Sequence, residues 1–281
     1  MPELPEVETT VKGLSVILNQ KISNVKIHTS KLRFKIPNNI INILRNSKIS
    51  NLRRIAKYII IDLDIDYSLI IHLGMSGRLK TVNKSYKRIK HDHFVMYFLS
   101  GMILVYHDPR KFGFIDIIKT KDLQKQKYIF SLGVDALSPN LTAQMIFEKI
   151  SKSEVPIKQI LLNQKLIAGI GNIYASEILF DSKISPLTLG KDLEISLIMK
   201  LINSIRKILK KAIKYGGSSI RDYRSTDGTL GNFQSNFKVY NKEGKKIGDD
   251  KVKKIVQYGR STFYCPKLQN NKQPHIKYYL T

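Results

Sequence analysis

The chain has 281 residues, and 48 Lys and Arg stand against 22 Asp and Glu, a formal net charge of +26. A surplus of that size repels itself unless a polyanion relieves it, so nucleic acid is the leading partner class and an anionic membrane surface the second. One cysteine, Cys265, excludes an internal disulfide and a multi-cysteine metal site, while 42% hydrophobic content at this length suits a folded protein of two domains. No apolar run approaches the roughly 20 residues of a spanning helix, and the acidic start lacks the features of a secretory signal. A cytoplasmic, nucleoid-associated monomer is expected.

In chain order, "MPELPEVETT" opens with Pro5 suited to a first helical turn and with Glu6 and Glu8 at the positive end of the helix dipole. Val7, Val11, Leu14 and Leu18 follow at helical spacing, which predicts a helix from about Pro5 and leaves Pro2 and Glu3 unexplained. Up to residue 132 the runs "ISNVKIH", "KYIIIDLDI", "SLIIHLGMSG", "HFVMYFLS" and "MILVYHD" are β-branched and aromatic, separated by turn residues, the pattern of a β-sandwich. A linker spans 133–140, and 141–236 reads as helical. "TAQMIFEKI" opens behind a Thr142 cap, and a long helix carries an apolar stripe through Ile195, Ile198, Met199, Ile202, Ile205, Leu209 and Ile213 up to Gly216. Its Lys207, Lys210, Lys211 and Lys214 read either as a solvated face or as a DNA track. From 237 to 281 strands return in "FKVYNKEG" and "GRSTFYC". There is no internal repeat.

Two constellations carry possible chemistry. In "LLNQKLIAGIGNIYASEILF", Gly169 and Gly171 let backbone approach a phosphate just before a helix N-terminus, with Asn172, Lys158 and Lys165 nearby. An ordinary helix–turn–helix packing unit explains the same glycines. The second gathers His72 and Met75, His91, and Arg110 with Phe112. Met and Phe can wedge into a base stack while Arg pairs with the base left behind, although a lone histidine is more often structural.

"MPELPEVETT", "RRIAKY", "HLGMSG", "HDHF", "HDPRKFG", "AGIGNIYASEILF", "GGSSIRDY", "STDGTLGNFQ" and "GRSTFYC" occur in that order over nearly the whole chain. Together they resemble the formamidopyrimidine-DNA glycosylases, which excise oxidised purines from duplex DNA. The resemblance implies an α+β fold: an N-terminal β-sandwich, a helical domain with a helix–two-turn–helix element, and a C-terminal β-hairpin, with damaged DNA lying between the two main parts. It implies that Met1 is removed and that Pro2 attacks C1′ through a secondary amine. Glu3 is then the acid/base group, Glu6 a supporting residue, Lys57 an active-site lysine on the "AKY" strand, and Arg260 the phosphate grip of the hairpin. His72, His91, Arg110, Lys152, Lys158, Asn172 and Tyr240 match DNA contacts. Met75, Arg110 and Phe112 fill the gap left by the extruded base, and the 216–233 loop, with Ser218, Ser219, Arg221 and Tyr223, closes over that base.

One departure stands out. The family usually holds the hairpin with four cysteines on zinc, whereas here Ile247, Asp250 and Leu268 accompany Cys265 at those positions. No metal or other cofactor is expected, and packing among Ile247, Leu268, Val252, Ile255, Val256, Phe263 and Tyr264 is the expected replacement. The alternatives are an endonuclease VIII-type enzyme for oxidised pyrimidines and a DNA-binding homologue without catalysis. Intact Pro2, Glu3 and Lys57 argue against the second.

Overall fold

The computed structural model describes residues 2–218, 226, 228 and 230–270. Helix α1 (Leu4–Gly13) comes first. Eight strands follow: β1 (Ile22–Ile27), β2 (Ile49–Ile55), β3 (Tyr58–Leu63), β4 (Tyr67–His72), β5 (Arg78–Val82), β6 (Asp92–Phe98), β7 (Ile103–His107) and β8 (Phe114–Lys119). They pair into two antiparallel sheets, ordered β1-β6-β7-β5 and β2-β3-β4-β8.

Alternation along the strands sends every second side chain inward. Ile59, Ile61, Leu69 and Ile71 from one sheet and Phe94, Met96, Leu104 and Tyr106 from the other share one buried apolar cluster with Val7 and Val11 of α1 and with Leu14 just after it. The sandwich expected from the sequence is therefore present, and α1 is packed into its core.

The later part of the chain is helical. Thr142 caps the helix Ala143–Ile150 by accepting the Met145 N–H at 3.2 Å. The helices Ile157–Leu162 and Asn172–Asp181 enclose the glycine-bearing turns. The helix Ile195–Lys214 buries Ile198, Leu201, Ile202, Ile205, Leu209 and Ala212, whereas Ile195 and Met199 are exposed. The apolar stripe thus starts one turn later than the sequence reading placed it, on the i, i+3, i+4, i+7 positions counted from Ile198.

Two segments depart from their expected form. "FKVYNKEG" is a run of bends and turns rather than a strand. The N–H groups of Lys238, Val239 and Tyr240 all point at the buried carboxylate of Glu177, at 2.8, 3.0 and 2.8 Å, so no ladder partner competes for them. The hairpin itself pairs Lys253–Gln257 with Arg260–Tyr264 across a turn at Tyr258 and Gly259, both with positive φ.

Spatial grouping follows contacts rather than chain order. Residues up to Ser131 form one compact unit together with Ala212–Gln234, and Leu132–Lys211 forms the second together with the chain from Ser235. The sequence-based division kept 141–236 as one domain and 237–281 as another. Tertiary hydrogen bonds explain the difference: Thr226 O accepts Thr81 N–H at 2.9 Å, and Glu177 holds the start of the hairpin segment.

Removing the Glu177 carboxylate strands one buried and two partly buried N–H donors, so Glu177→Ala is expected to cost about 3 kcal/mol in denaturant unfolding. A loss below about 1 kcal/mol would mean that those donors find other acceptors.

Candidate active site

In the first unit the site is built on the N-terminus of α1. Pro2 is buried directly ahead of the helix, and Glu3, only 2% exposed, occupies its N-cap in a capping box with Glu6. Glu6 Oε2 accepts the Glu3 N–H at 2.9 Å. Its other oxygen, Oε1, accepts both the N–H of Ser218 at 2.7 Å and its hydroxyl at 2.9 Å. Gly217 precedes this contact with φ +76, and a Cβ there would meet Glu6 Oε1 at 3.0 Å. One carboxylate thus serves both the helix start and the hold on Ser218.

Lys57 is 6% exposed and stands in the two-residue turn between β2 and β3, one residue before the strand on which the sequence reading placed it. Ala56 takes φ +51 to close that turn. Arg54 Nη1 donates to Ala56 O at 3.0 Å, and its Nε donates to Glu8 of α1 at 2.8 Å. The ion pair ties the helix behind Pro2 to the turn carrying Lys57. Sequence reasoning missed Arg54 and Glu8 as site residues, although both lie inside quoted motifs.

His72 is not a charged contact. Burial, with Lys57 and Arg33 nearby, pushes its pKa down to about 4, and its Nδ1 accepts the Gly74 N–H at 3.1 Å. Its ring stacks on Phe114 at 5.6 Å. His91 adopts φ +72 and lies 6.0 Å, centroid to centroid, from His93. Met75 and Phe112 are exposed, and the Arg110 guanidinium covers the Phe112 ring at 4.6 Å. Of the expected loop residues, Ser218 is buried with both donors on Glu6, while Ser219, Arg221 and Tyr223 lie outside the described residues.

In the second unit, Gln164 fixes the two turns by donating to Ile170 O at 2.8 Å and accepting the Gly169 N–H at 2.9 Å. Gly171 is the N-cap of the helix that begins at Asn172. Asn172 Nδ2 and Lys158 Nζ each donate to Ser261 O at 3.0 Å, and Lys158 also reaches Thr262 Oγ1 at 2.6 Å. Lys158 is fully buried. Its ammonium therefore supports the strand next to Arg260 instead of presenting charge at the surface, where the sequence reading set it against DNA. Among the described residues, Asn172 Oδ1 is buried with no hydrogen-bond partner. Arg260 and Lys152 are exposed, and the Tyr240 ring packs on Phe263 at 5.2 Å.

The residues at the four family ligand positions do not fit a zinc ion. Asp250 Oδ2 accepts the N–H groups of Lys267 and Leu268 at 2.7 and 3.0 Å, and its Oδ1 accepts that of Lys251 at 2.8 Å. Burial raises the Cys265 thiol to about 11, and Ile247 and Leu268 offer no ligand atom. Among the described residues no group of three His, Cys, Asp or Glu side chains is placed to hold a metal. The apolar replacement is narrower than expected: Val239, Val252, Phe263 and Cys265 are its buried members, with Ile247 against them, while Leu268 and Val256 are exposed. Gln269 supplies a polar tie, accepting the Cys265 N–H and donating to Ile184 O, each at 2.8 Å.

The model of the formamidopyrimidine-DNA glycosylase N-terminal domain matches residues 1–115, and that of the family's H2TH domain matches 132–224. The chain belongs to the formamidopyrimidine-DNA glycosylase family. A Zymomonas mobilis glycosylase of that name is 45% identical over 96% of this chain and 100% of its own, and one from Rickettsia africae is 40% identical over 96% and 99%. The fold matches a Lactococcus lactis Fpg mutant in complex with Fapy-dG-containing DNA, at TM-score 0.89 and 36% identity, covering 96% of this chain and 100% of that one. The wild-type Lactococcus lactis Fpg bound to oxidised-pyrimidine DNA matches at 0.88 and 35%, with the same coverage. Among the described residues no helix is long and apolar enough to cross a membrane.

The depressed His72 sets a pH dependence. Below about pH 6.5 the unfolded chain takes up a proton that folded His72 refuses, so its contribution is complete above 6.5 and declines as pH falls toward about 4. Burial lowers His93 and His107 in the same direction. The thermal midpoint should therefore fall over that window, and His72→Phe should flatten the fall. An unchanged slope would remove His72 from the account.

Proposed function

We propose that this base-excision-repair glycosylase, which acts on oxidised purines in damaged duplex DNA, uses Pro2 as its nucleophile once Met1 is removed. The carrying observation is the buried start of α1, where Glu3 caps the helix and Glu6 fixes the Glu3 backbone. An α-amine has a pKa of about 8, so roughly a tenth is neutral and nucleophilic at pH 7, far more than for a lysine. The Pro2 nitrogen bonds to C1′ as the bond from C1′ to the base breaks, the base leaving with that electron pair and taking up the proton the nitrogen gives up. Glu3 protonates the sugar ring oxygen, opening the ring and leaving an iminium. Loss of a C2′ proton then expels the 3′ phosphate, and a second elimination expels the 5′ phosphate.

Lys57 adds a positive charge to the same unit. On the other unit, exposed Arg260 grips backbone phosphates with its fork of donors, and Asn172 contributes from the helix N-terminus. Lys158 acts through the hairpin. Met75, Arg110 and Phe112 fill the gap left by the extruded nucleotide, and the 216–233 loop covers the base. The hairpin works without metal, held by Asp250, Gln269 and a small apolar cluster. The protein acts as a monomer in the cytoplasm, at the nucleoid.

Borohydride should trap a covalent adduct on DNA containing oxidised guanine, and mass spectrometry should map it to the N-terminal residue; an adduct on a lysine would defeat the assignment. Pro2→Gly should slow trapping about 100-fold or more, and Glu3→Gln should weaken excision while DNA binding persists, as expected for loss of a nucleophile and of a general acid. A duplex with an oxidised pyrimidine, run in parallel, tests the endonuclease VIII-type alternative by its relative rate.

A separate measurement addresses the hairpin. Elemental analysis should find no stoichiometric zinc, a strong chelator should leave activity intact, and Arg260→Ala should abolish tight DNA binding. One zinc per chain, with activity lost on chelation, would overturn the metal-free reading.

A further inference from the structure

We propose that Asp108 and Ser76 are positioning residues that join the Met75 loop and the Arg110–Phe112 loop into a single wedge, so that opposite-base discrimination depends on both loops together. The inference rests on the gap-filling reading of Met75, Arg110 and Phe112.

The topology brings the two loops side by side. Residues 73–77 lead from β4 to β5, and residues 108–113 lead from β7 to β8, so each passes between the two sheets. The strands they join are themselves paired, with His72 opposite Phe114 and Arg78 opposite His107. Both connections therefore leave the sandwich at the same end.

A buried carboxylate links them there. Asp108 has no exposed surface. Its Oδ1 accepts the Ser76 hydroxyl at 2.6 Å, and its Oδ2 accepts the Gly113 N–H at 2.9 Å and the Tyr106 hydroxyl at 3.1 Å. Burial and the neighbouring Asp108 raise the Tyr106 phenol well above its ordinary pKa, so it stays a donor. Ser76 Oγ in turn accepts the Arg110 N–H at 3.2 Å. One hydroxyl between Met75 and Gly77 thus touches both the carboxylate and the backbone of the arginine loop.

The backbones also meet directly. Gly74 takes φ +61, and a Cβ there would overlap the backbone of Phe112 and Gly113. The main chain of Asp108 adds a third loop: its N–H donates to His91 O at 3.1 Å, and its carbonyl lies 3.0 Å from His93 Nε2. The tips, Met75 on one loop and Pro109 to Phe112 on the other, are exposed, whereas Gly74, Ser76, Gly77, Asp108 and Gly113 beneath them are buried.

A wedge held this way meets the duplex with its side chains already spaced, so little ordering entropy is spent on insertion. Loosening one loop should blur the position of Arg110 relative to the unpaired base, and the loss should appear in discrimination before it appears in folding.

The test compares excision of oxidised guanine opposite cytosine and opposite adenine, as a ratio of kcat/KM, in the full-length protein. Fluorescence of 2-aminopurine beside the lesion reports insertion separately. Ser76→Ala is expected to lower the cytosine-to-adenine ratio about tenfold, roughly the worth of one hydrogen bond to a charged acceptor, and to slow the fluorescence rise. Asp108→Asn, which keeps the shape but loses acceptor capacity, is expected to do the same. Adding Ser76→Ala to Arg110→Ala should change the ratio no further, because both act through one wedge. If Arg110→Ala shifts the ratio and Ser76→Ala does not, the positioning role is overturned while gap filling stands. If Arg110→Ala leaves the ratio unchanged, gap filling itself fails and the inference with it. Should Asp108→Asn fail to fold, Ser76→Ala, which deletes one hydroxyl, still decides the question.

Discussion

A carboxylate buried among backbone N–H donors is the interaction on which both compact units depend. Glu6 collects donors from Glu3 and Ser218, Asp108 from Gly113, Glu177 from three consecutive residues, and Asp250 from Lys251, Lys267 and Leu268. Burying an unpaired carboxylate is costly, and a cradle of amide donors is one of the few arrangements that offsets the loss of water. Asp92 follows the same rule with mixed partners: it accepts the Ile89 N–H and the Tyr86 hydroxyl while Lys80 and His107 approach it. In a chain with 22 acids against 48 bases, these acids are placed as internal fasteners. The basic surplus is left to the surface.

That division of labour also explains Lys158. A buried ammonium must be satisfied like a buried carboxylate, and the hairpin offers it a carbonyl and a hydroxyl. With Asn172 it converges on the carbonyl of Ser261, the residue after Arg260. The strand that begins at the exposed arginine is therefore braced from beneath, by a lysine that does not reach the surface and by the Asn172 amide.

Much of this was legible in the sequence because period-two apolar runs and ordered motifs are local signals. The sandwich core at Ile59, Ile61, Phe94 and Met96 follows from alternation alone, and the quoted motifs located the residues around Pro2, Lys57 and Arg260. What escaped were relations between distant positions. Glu6 and Ser218 are 212 residues apart, and neither composition nor spacing links them. The turn-bound form of 237–244 was hidden because its aromatic, β-branched residues suit a strand, and only the tertiary acceptor Glu177 decides otherwise. The misplaced stripe on Ile195–Lys214 has a similar cause: with apolar residues on several faces, sequence cannot tell which face will find a partner.

Fastening through backbone N–H groups has a consequence for how the sequence can drift. At Glu6, Asp108, Glu177 and Asp250 the acceptor is a side chain and must keep its length and charge. At most of the donating positions, Lys238, Val239, Tyr240, Lys251, Lys267 and Leu268 among them, the bond comes from the main chain, which every residue but proline supplies. Variation among relatives should therefore be lopsided across each fastener, with a fixed acid facing a stretch free to exchange side chains yet closed to proline.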